Sequence, residues 1–315
     1  MINIIIPAYN PSKTLARALA SIEAQTVKKA IVTVVDDCST EDYSNIINAS
    51  SLSITWLKTE TNSGAGVARQ VGIDNCKCDY LMFLDADDVL NPLAIHYINH
   101  EIQRERCDIL SSGFYEEESG VFIEHFGDRT WVHGKVFKTS FLKENNIRFF
   151  DELRYNEDSA FLGVAFPFAK KIKYVDFITY IWCDNSDSTV RKTENDYYAK
   201  QMPSFVKGRE LVVKKLKEAN LIKDYYETVY DALISFYYIY FDLKVYKPDY
   251  LKLYNDSVCS FLNVINYKKE ILSSDFKNDV MISFWERRLK PRHGPLIPNE
   301  GLFEYYDRIS QQGEV

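Results

Sequence analysis

The sequence predicts an α/β protein in which a doubly wound, mixed sheet is followed by a mainly helical C-terminal region. Three observations carry this expectation. Over the first hundred residues, short β-branched runs alternate with stretches whose apolar residues recur at helical spacing. The strand runs are continuously apolar, as a parallel sheet covered by helices on both faces requires. From about Asp196 the strand runs give way to long, Tyr-rich helical sequence.

Taken in order, INIII (2–6), AIVTVVDD (30–37), ITWLK (54–58) and DYLMFLD (79–85) read as strands. Between them, SKTLARALASIEAQT (12–26), TEDYSNIINA (40–49) and GAGVARQVGIDNC (64–76) read as helices, with Ser12 and Thr40 placed as N-caps. After residue 105 the pattern is mixed. CDILSSGFY (107–115), GVFIEHF (120–126) and KYVDFITYIW (173–182) read as strands, and FKTSFLKENN (137–146) and EDSAFLGVAFPFA (157–169) as helices. The expected organisation is a domain over 1–195, with a change of character near 105, a helical region over 196–315, and an irregular segment at 290–301.

At 315 residues the chain can hold one large domain, or a domain of about 200 residues with a smaller companion. With 46% apolar and 26% charged residues it can bury a core, which argues against disorder over most of its length. A formal charge of −7 argues against nucleic acid as a partner, because phosphate contacts need a basic surface. Cys38, Cys76, Cys78, Cys107, Cys183 and Cys259 lack paired metal-site spacing, and no secretory signal precedes them, so they read as free thiols in a reducing cytoplasm. The longest apolar run, DALISFYYIYF (231–241), falls short of the roughly 20 residues a bilayer span needs. The expected location is cytoplasmic, with peripheral contact at the inner face of the membrane left open.

The strands end at PAYN (7–10), DDCST (36–40), TETNSGAG (59–66) and DADD (85–88), so the unusual polar sequence gathers at the edge where such sheets bind ligands. There a buried strand runs into Asp85, Asp87 and Asp88, three carboxylates that repel one another. Such a knot has three physical outlets: a divalent cation, basic side chains, or plain solvation on a turn. Asp85 and Asp87 can converge on one side of a bend to hold Mn²⁺ or Mg²⁺ through oxygen. The loop NSGAGVARQ (62–70) leads from a strand end into a helix, so its amides and Arg69 can meet a phosphate or a base edge. Strand 1 is followed by no glycine fingerprint, which disfavours hydride transfer.

Six linked segments, IIIPAYN, VVDDCST, TNSGAGVARQVGI, YLMFLDADD, VHGKVFKTSFLKENNIRF and YNEDSAF, resemble in order and spacing the nucleotide-sugar transferases of glycosyltransferase family 2. The resemblance covers about residues 1–190 and is closest in kind to bacterial cell-surface glycan and teichoic acid transferases. It implies a GT-A fold, Rossmann-like at its start, with a nucleotide-binding half over 1–105 and an acceptor half over 106–195. It also implies nucleobase and nucleotide-sugar contacts at Pro7, Tyr9, Asp36, Asp37, Asn62, Arg69, Asp85, Ala86 and Asp87. Asp87, with Asp85, stands where the family binds its metal. The position of Cys38 more commonly holds glycine.

Glu157 and Asp158 match the family's acidic pair, whose aspartate is the usual base; ordinary charge complementarity at a helix N-terminus is the plainer reading. The resemblance sets His133, Gly134 and Lys135 by the acceptor and donor-sugar pocket, and Ser188, Thr189 and Arg191 on a segment that in the family closes over the pyrophosphate; here that segment lacks the family's Tyr-Arg pair, and a solvated loop residue stays open as the reading of Arg191. The implied function is metal-dependent, inverting transfer from a UDP-sugar to a hydroxyl of a glycan or glycopolymer. Two alternatives stay open, a non-catalytic carbohydrate-binding relative and, further behind, a nucleotidyltransferase. Homo-oligomerisation through the C-terminal helices also stays open.

Overall fold

Ile2–Ala8 is seven consecutive buried residues, and a strand apolar on both faces has to be covered on both. In the computed structural model this strand lies inside a nine-stranded mixed sheet. The structure describes residues 1–27, 29–185, 197–272, 275–280, 282 and 301–312. Two compact units divide the chain, Met1–Lys192 and Thr193–Val315.

The strands of the first unit are β1 (Ile2–Ala8), β2 (Ala30–Asp36), β3 (Ile54–Lys58), β4 (Tyr80–Phe83), β5 (Val89–Leu90), β6 (Ile109–Glu118), β7 (Val121–His125), β8 (Lys135–Lys138) and β9 (Ile172–Trp182). Their order across the sheet is β3-β2-β1-β4-β8-β6-β9-β5, with β7 added to β6. The pairs β1–β2, β1–β4 and β2–β3 are parallel, so their carboxyl ends share one edge. Antiparallel β8 then turns the sheet into its mixed half.

The helices of this unit are α1 (Leu15–Glu23), α2 (Ser44–Ala49), α3 (Ala65–Asn75), α4 (Ala94–Arg104), α5 (Thr139–Glu144) and α6 (Glu157–Phe168). Alternation along β1 sorts them onto two faces. Ile2, Ile4 and Ile6 share a core with Leu15, Leu19, Ile95 and Ile98 of α1 and α4. Ile5 points the other way, against Gly72 of α3. On that second face Phe83, Phe137, Phe149 and Phe161 form a ring cluster, with Phe149 and Phe161 stacked at 4.2 Å.

Several local expectations need correction. Ser12 and Thr40 do not cap helices: α1 begins after Thr14 and α2 after Tyr43, both without a side-chain cap. Instead Ser12 donates through N and Oγ to Glu41, while Thr40 N and Oγ1 donate to Asn10 Oδ1, strapping the loops after β1 and β2 together. Helix α4 and strands β5 and β8 were not foreseen. The two strands have two and four residues, too short for a pattern, and they exist because long-range partners supply their ladders.

The second unit contains α7 (Tyr197–Glu218), α8 (Ile222–Tyr246), α9 (Leu251–Val264) and, after a π-helical turn at Tyr267–Ile271, α10 (Leu302–Gln312). Several of its tyrosines are core residues with satisfied hydroxyls. Tyr254 donates to the Phe236 carbonyl at 2.8 Å, Tyr306 to that of Leu233, and Tyr305 to Asn255 at 3.1 Å. Among the described residues no helix is long and apolar enough to cross a membrane. The irregular segment expected at 290–301 lies outside the described residues except for Gly301.

The close approach of α3 to β1 makes a prediction. A Cβ added at Gly72 would lie 2.3 Å from Ile5 Cγ2, inside a fully packed core. Gly72→Ala should destabilise the fold by about 1–3 kcal/mol through overpacking. In a double-mutant cycle followed by urea unfolding, its cost should shrink in an Ile5→Ala background. An unchanged cost would show that the strain lies elsewhere.

Candidate active site

The parallel strands deliver four loops to one edge, and Asp37 organises two of them. Its Oδ1 accepts from Ser63 N and Thr59 Oγ1, both at 3.0 Å, and its Oδ2 from Gly64 N at 2.7 Å. Gly64 takes φ +97°, a conformation that glycine reaches without penalty, so the loop can turn directly into α3. Asp36 accepts from Ser39 N at 2.7 Å and pairs with Lys58 at 3.3 Å. Cys38 adopts φ +58°, the left-handed region that a glycine would occupy freely. Pro7 is buried in β1, whereas Tyr9 is 50% exposed and offers a free ring face beside these loops. Asn62 Oδ1 accepts from Arg154 Nη2 at 2.6 Å.

Arg69, on the second turn of α3, is 3% exposed. Expected at a nucleobase, it instead bridges three carboxylates. Nη1 donates to Glu157 Oε1 at 2.9 Å and to Asp158 Oδ1 at 2.7 Å, and Nη2 to Asp85 Oδ1 at 2.7 Å. The positive group that the aspartate knot requires is therefore in part a side chain of the protein. Gly66 permits the convergence, because a Cβ there would meet Glu157 Cγ at 3.0 Å and Cβ at 3.1 Å.

The three aspartates of the knot have separate surroundings. Asp88 is buried, with Oδ2 accepting from the Tyr180 hydroxyl and Oδ1 from Cys183 N at 2.8 Å, so it ties the loop to the end of β9. Asp85 faces Arg69 through Oδ1 and His133 Nε2 through Oδ2, the latter at 3.6 Å. Asp87 is half-buried and accepts from Asn185 Nδ2 at 2.8 Å, with Ala86, also half-buried, between it and Asp85.

Electrostatics follow this division. Burial alone would raise the pKa of Asp85, but Arg69 and the His133 contact prevail and hold it below the usual carboxylate range. Burial raises Asp87, and the charge of Asp85 adds to the shift. Burial raises Asp88 as well, with Asp87 and Asp85 behind it. A carboxylate raised by burial and by a like charge beside it is one that a divalent cation would restore to the ionised form. Ligand atoms of Asp85, Asp88 and His133 lie within 4.8 Å of one another, yet both Asp88 oxygens already serve Tyr180 and Cys183. Asp87 lies outside that group on the same loop, so the carboxylates of this edge suit an oxygen-coordinated divalent cation as a set.

Asp158 sits at the start of α6, with Oδ2 accepting from Val132 N at 3.3 Å in addition to its Arg69 contact. Burial pushes its carboxyl up to about 6; Arg69 opposes the shift, and the charges of Glu157 and Asp85 support it. The connection from β7 to β8 supplies the opposite wall. Gly134, at φ +67°, lies where a Cβ would come within 2.9 Å of the Ser112 and Gly113 carbonyls. Lys135 is 1% exposed, donates to the His133 carbonyl at 3.1 Å, and is brought down to about 8 by burial against the opposing charges of Asp128 and Asp158.

The structure thus brings Asp85, Glu157, Asp158, Arg69 and His133 to one point, with Asp87 two residues away on the same loop, and gathers Tyr9, Asp36, Asp37 and Asn62 on the neighbouring loops. Ser188, Thr189 and Arg191 lie outside the described residues. Sequence reasoning missed the Asp88–Tyr180 tie, the Val132 amide and Arg154. The contacts join residues 26 to 92 positions apart, and only the Asp88 carboxylate carried a signal, as the third member of the knot.

Comparison with known proteins gives a consistent picture. Residues 3–162 match the family model described as glycosyl transferase family 2. The glycosyltransferase GlyG of Streptococcus pneumoniae serotype 4 is 25% identical over 269 residues, covering 73% of this chain and 89% of that protein. The poly(ribitol-phosphate) beta-N-acetylglucosaminyltransferase TarS of Staphylococcus aureus is 27% identical over 220 residues, covering 62% of this chain but only 38% of its own length. The crystal structure of TarS 1-349 in complex with UDP-GlcNAc superimposes with a TM-score of 0.70 at 20% identity, covering 95% of this chain and 97% of that one. This last likeness shows a shared fold, the GT-A sheet with a helical C-terminal region.

Removing Arg69 would leave three carboxylates facing one another without compensation. Arg69→Leu should destabilise the fold by about 3–5 kcal/mol, the range for breaking a buried ion pair. Asp158→Asn, which leaves Arg69 two anionic partners, should cost far less. Urea midpoints that fall equally for both would show that Arg69 does not act as the common counter-charge.

Proposed function

The chain belongs to glycosyl transferase family 2 and is a glycosyltransferase, and from that premise we propose that it transfers a sugar from a UDP-sugar to a hydroxyl of a cell-surface glycan or glycopolymer by direct displacement. The observation that carries this reading is the convergence on Arg69 of Asp85, from the strand-end aspartates, with Glu157 and Asp158, from the start of α6. Donor-side and acceptor-side carboxylates are thereby held in one fixed arrangement. The likeness to TarS supports a glycopolymer, though not its repeating unit, as the class of acceptor.

In the proposed reaction the acceptor oxygen attacks the anomeric carbon, forming the new glycosidic bond while the bond from that carbon to the diphosphate oxygen breaks. UDP leaves with the electron pair, and the acceptor proton passes to a carboxylate oxygen of Asp158. Each Asp158 oxygen already accepts one hydrogen bond and retains a second lone pair for this role. Glu157, on the other side of Arg69, keeps the guanidinium in place. Asp87, with Asp85, would hold Mn²⁺ or Mg²⁺, whose chemistry when bound is to stabilise the charge developing on the diphosphate. Tyr9, Asp36 and Asp37, with Asn62, surround the uracil site, where Asp37 also holds the loop that precedes α3. One displacement with one base inverts the anomeric configuration.

The Asp158 carboxyl, raised to about 6, works as a base only when ionised. Activity should therefore be full above that pH and fall about tenfold per unit below it. Asp158→Asn should lower turnover by about 10² to 10⁴ and leave UDP affinity nearly unchanged. If affinity and rate fall together, Asp158 belongs to the donor site. Retention of configuration, read from product NMR coupling constants, would remove it from the role.

Asp87→Ala tests the metal separately. By calorimetry, UDP binding in the variant should lose its dependence on Mn²⁺, because the ion links the carboxylate to the diphosphate. Equal Mn²⁺-dependent affinity in the wild type and the variant would assign the ion to other ligands.

A further inference from the structure

Trp131 directly precedes Val132, the residue whose amide holds Oδ2 of the Asp158 carboxylate. Its own backbone is fixed, since Asp128 Oδ1 accepts from Trp131 N at 3.0 Å and from Thr130 N at 2.9 Å. Its indole lies nearly parallel to the His133 imidazole, at 13° with centroids 5.9 Å apart, and that imidazole stacks on Tyr180 at 4.4 Å and 10°. Trp182 packs against it at 5.1 Å. Tyr180, His133 and Trp182 are buried whereas Trp131 is half-buried and packs against the same core, so the outermost ring of this series lies one residue along the chain from the amide that holds Asp158.

A rigid indole face beside a base is suited to the C–H-lined face of a sugar ring, which gives up water on stacking while its hydroxyls stay free at the edge. Charge narrows the choice. Asp85, Glu157 and Asp158 converge here, and Asp128 sits in the turn that carries Trp131. The cations described at this point, Arg69, Lys135 and, in the same turn as Asp128, Arg129, already donate to protein acceptors. An acyclic polyol phosphate adds charge of the same sign as these carboxylates and has no ring face to match the indole.

We propose that Trp131 is the platform on which a neutral pyranose ring of the acceptor stacks, presenting its hydroxyl to Asp158. The inference rests on the transferase reading above, in which Asp158 faces the acceptor. It selects a sugar ring, not an acyclic polyol phosphate, as the group next to the base.

The test uses saturation-transfer NMR on the full chain with UDP, titrating methyl β-D-glucopyranoside and, separately, ribitol 5-phosphate. The pyranoside should bind the wild type and should bind Trp131→Leu, which keeps apolar volume but has no ring face, about tenfold or more weakly. Trp131→Phe should stay within about threefold of the wild type, and ribitol 5-phosphate should bind the wild type more weakly than the pyranoside. Unchanged pyranoside affinity in a folded Trp131→Leu, or preference for ribitol 5-phosphate, overturns the platform. Hydrolysis of UDP-sugars by the wild type without any acceptor tests the transferase reading alone, so the two can fail independently.

Discussion

The site depends on a single buried guanidinium. Arg69 joins Asp85 from the end of β4 to Glu157 and Asp158 from the start of α6, residues 72 and 73 positions further along the chain. Three carboxylates this close could not all remain ionised without a compensating charge, and an arginine satisfies them where a lysine would not, because its planar fork presents donors in several directions at once. The same ion network sets the chemistry. It keeps Asp85 ionised, while burial with two carboxylate neighbours keeps Asp158 poised near 6. A fold-stabilising contact and a contact that tunes the Asp158 carboxyl are here the same atoms.

Glycines make that contact sterically attainable. Gly72 lets α3 lie directly on Ile5 of β1, Gly66 lets Glu157 approach the first turn of α3, and Gly64 lets the loop held by Asp37 turn into the helix. The loops after β1 and β2 are further braced against one another, through Asn10 with Thr40 and Ser12 with Glu41. Rigidity at this edge follows from side chains that reach to the next loop and not to their own helix.

The mixed half of the sheet contributes the other wall. Antiparallel β8 brings His133, Gly134 and Lys135 next to the strand-end aspartates, and β9 brings Tyr180 to Asp88 and beneath His133. A buried lysine whose pKa falls to about 8 is costly to assemble, whereas the stacked rings around it stabilise the wall they form. Their presence beside Asp158 indicates that this wall is built for shape, with Trp131 as its outermost ring.

The parallel half was legible in the sequence because strand apolarity and helical spacing are local signals, and the edge carrying the ligand loops follows from the direction of parallel strands. Asp85, Asp87, Glu157 and Asp158 were legible as carboxylates in charge-dense motifs, as was Arg69 as a polar residue on a loop-to-helix turn. What each of them touches was not. The turn of Arg69 toward carboxylates, the retreat of Asp88 into a structural tie, the use of Ser12 and Thr40 as straps and the existence of β5 and β8 all depend on partners tens of residues away. A hydrogen bond across 89 positions leaves no periodicity in the sequence, so only the tertiary structure decided which carboxylates share a counter-ion and which became a fastening.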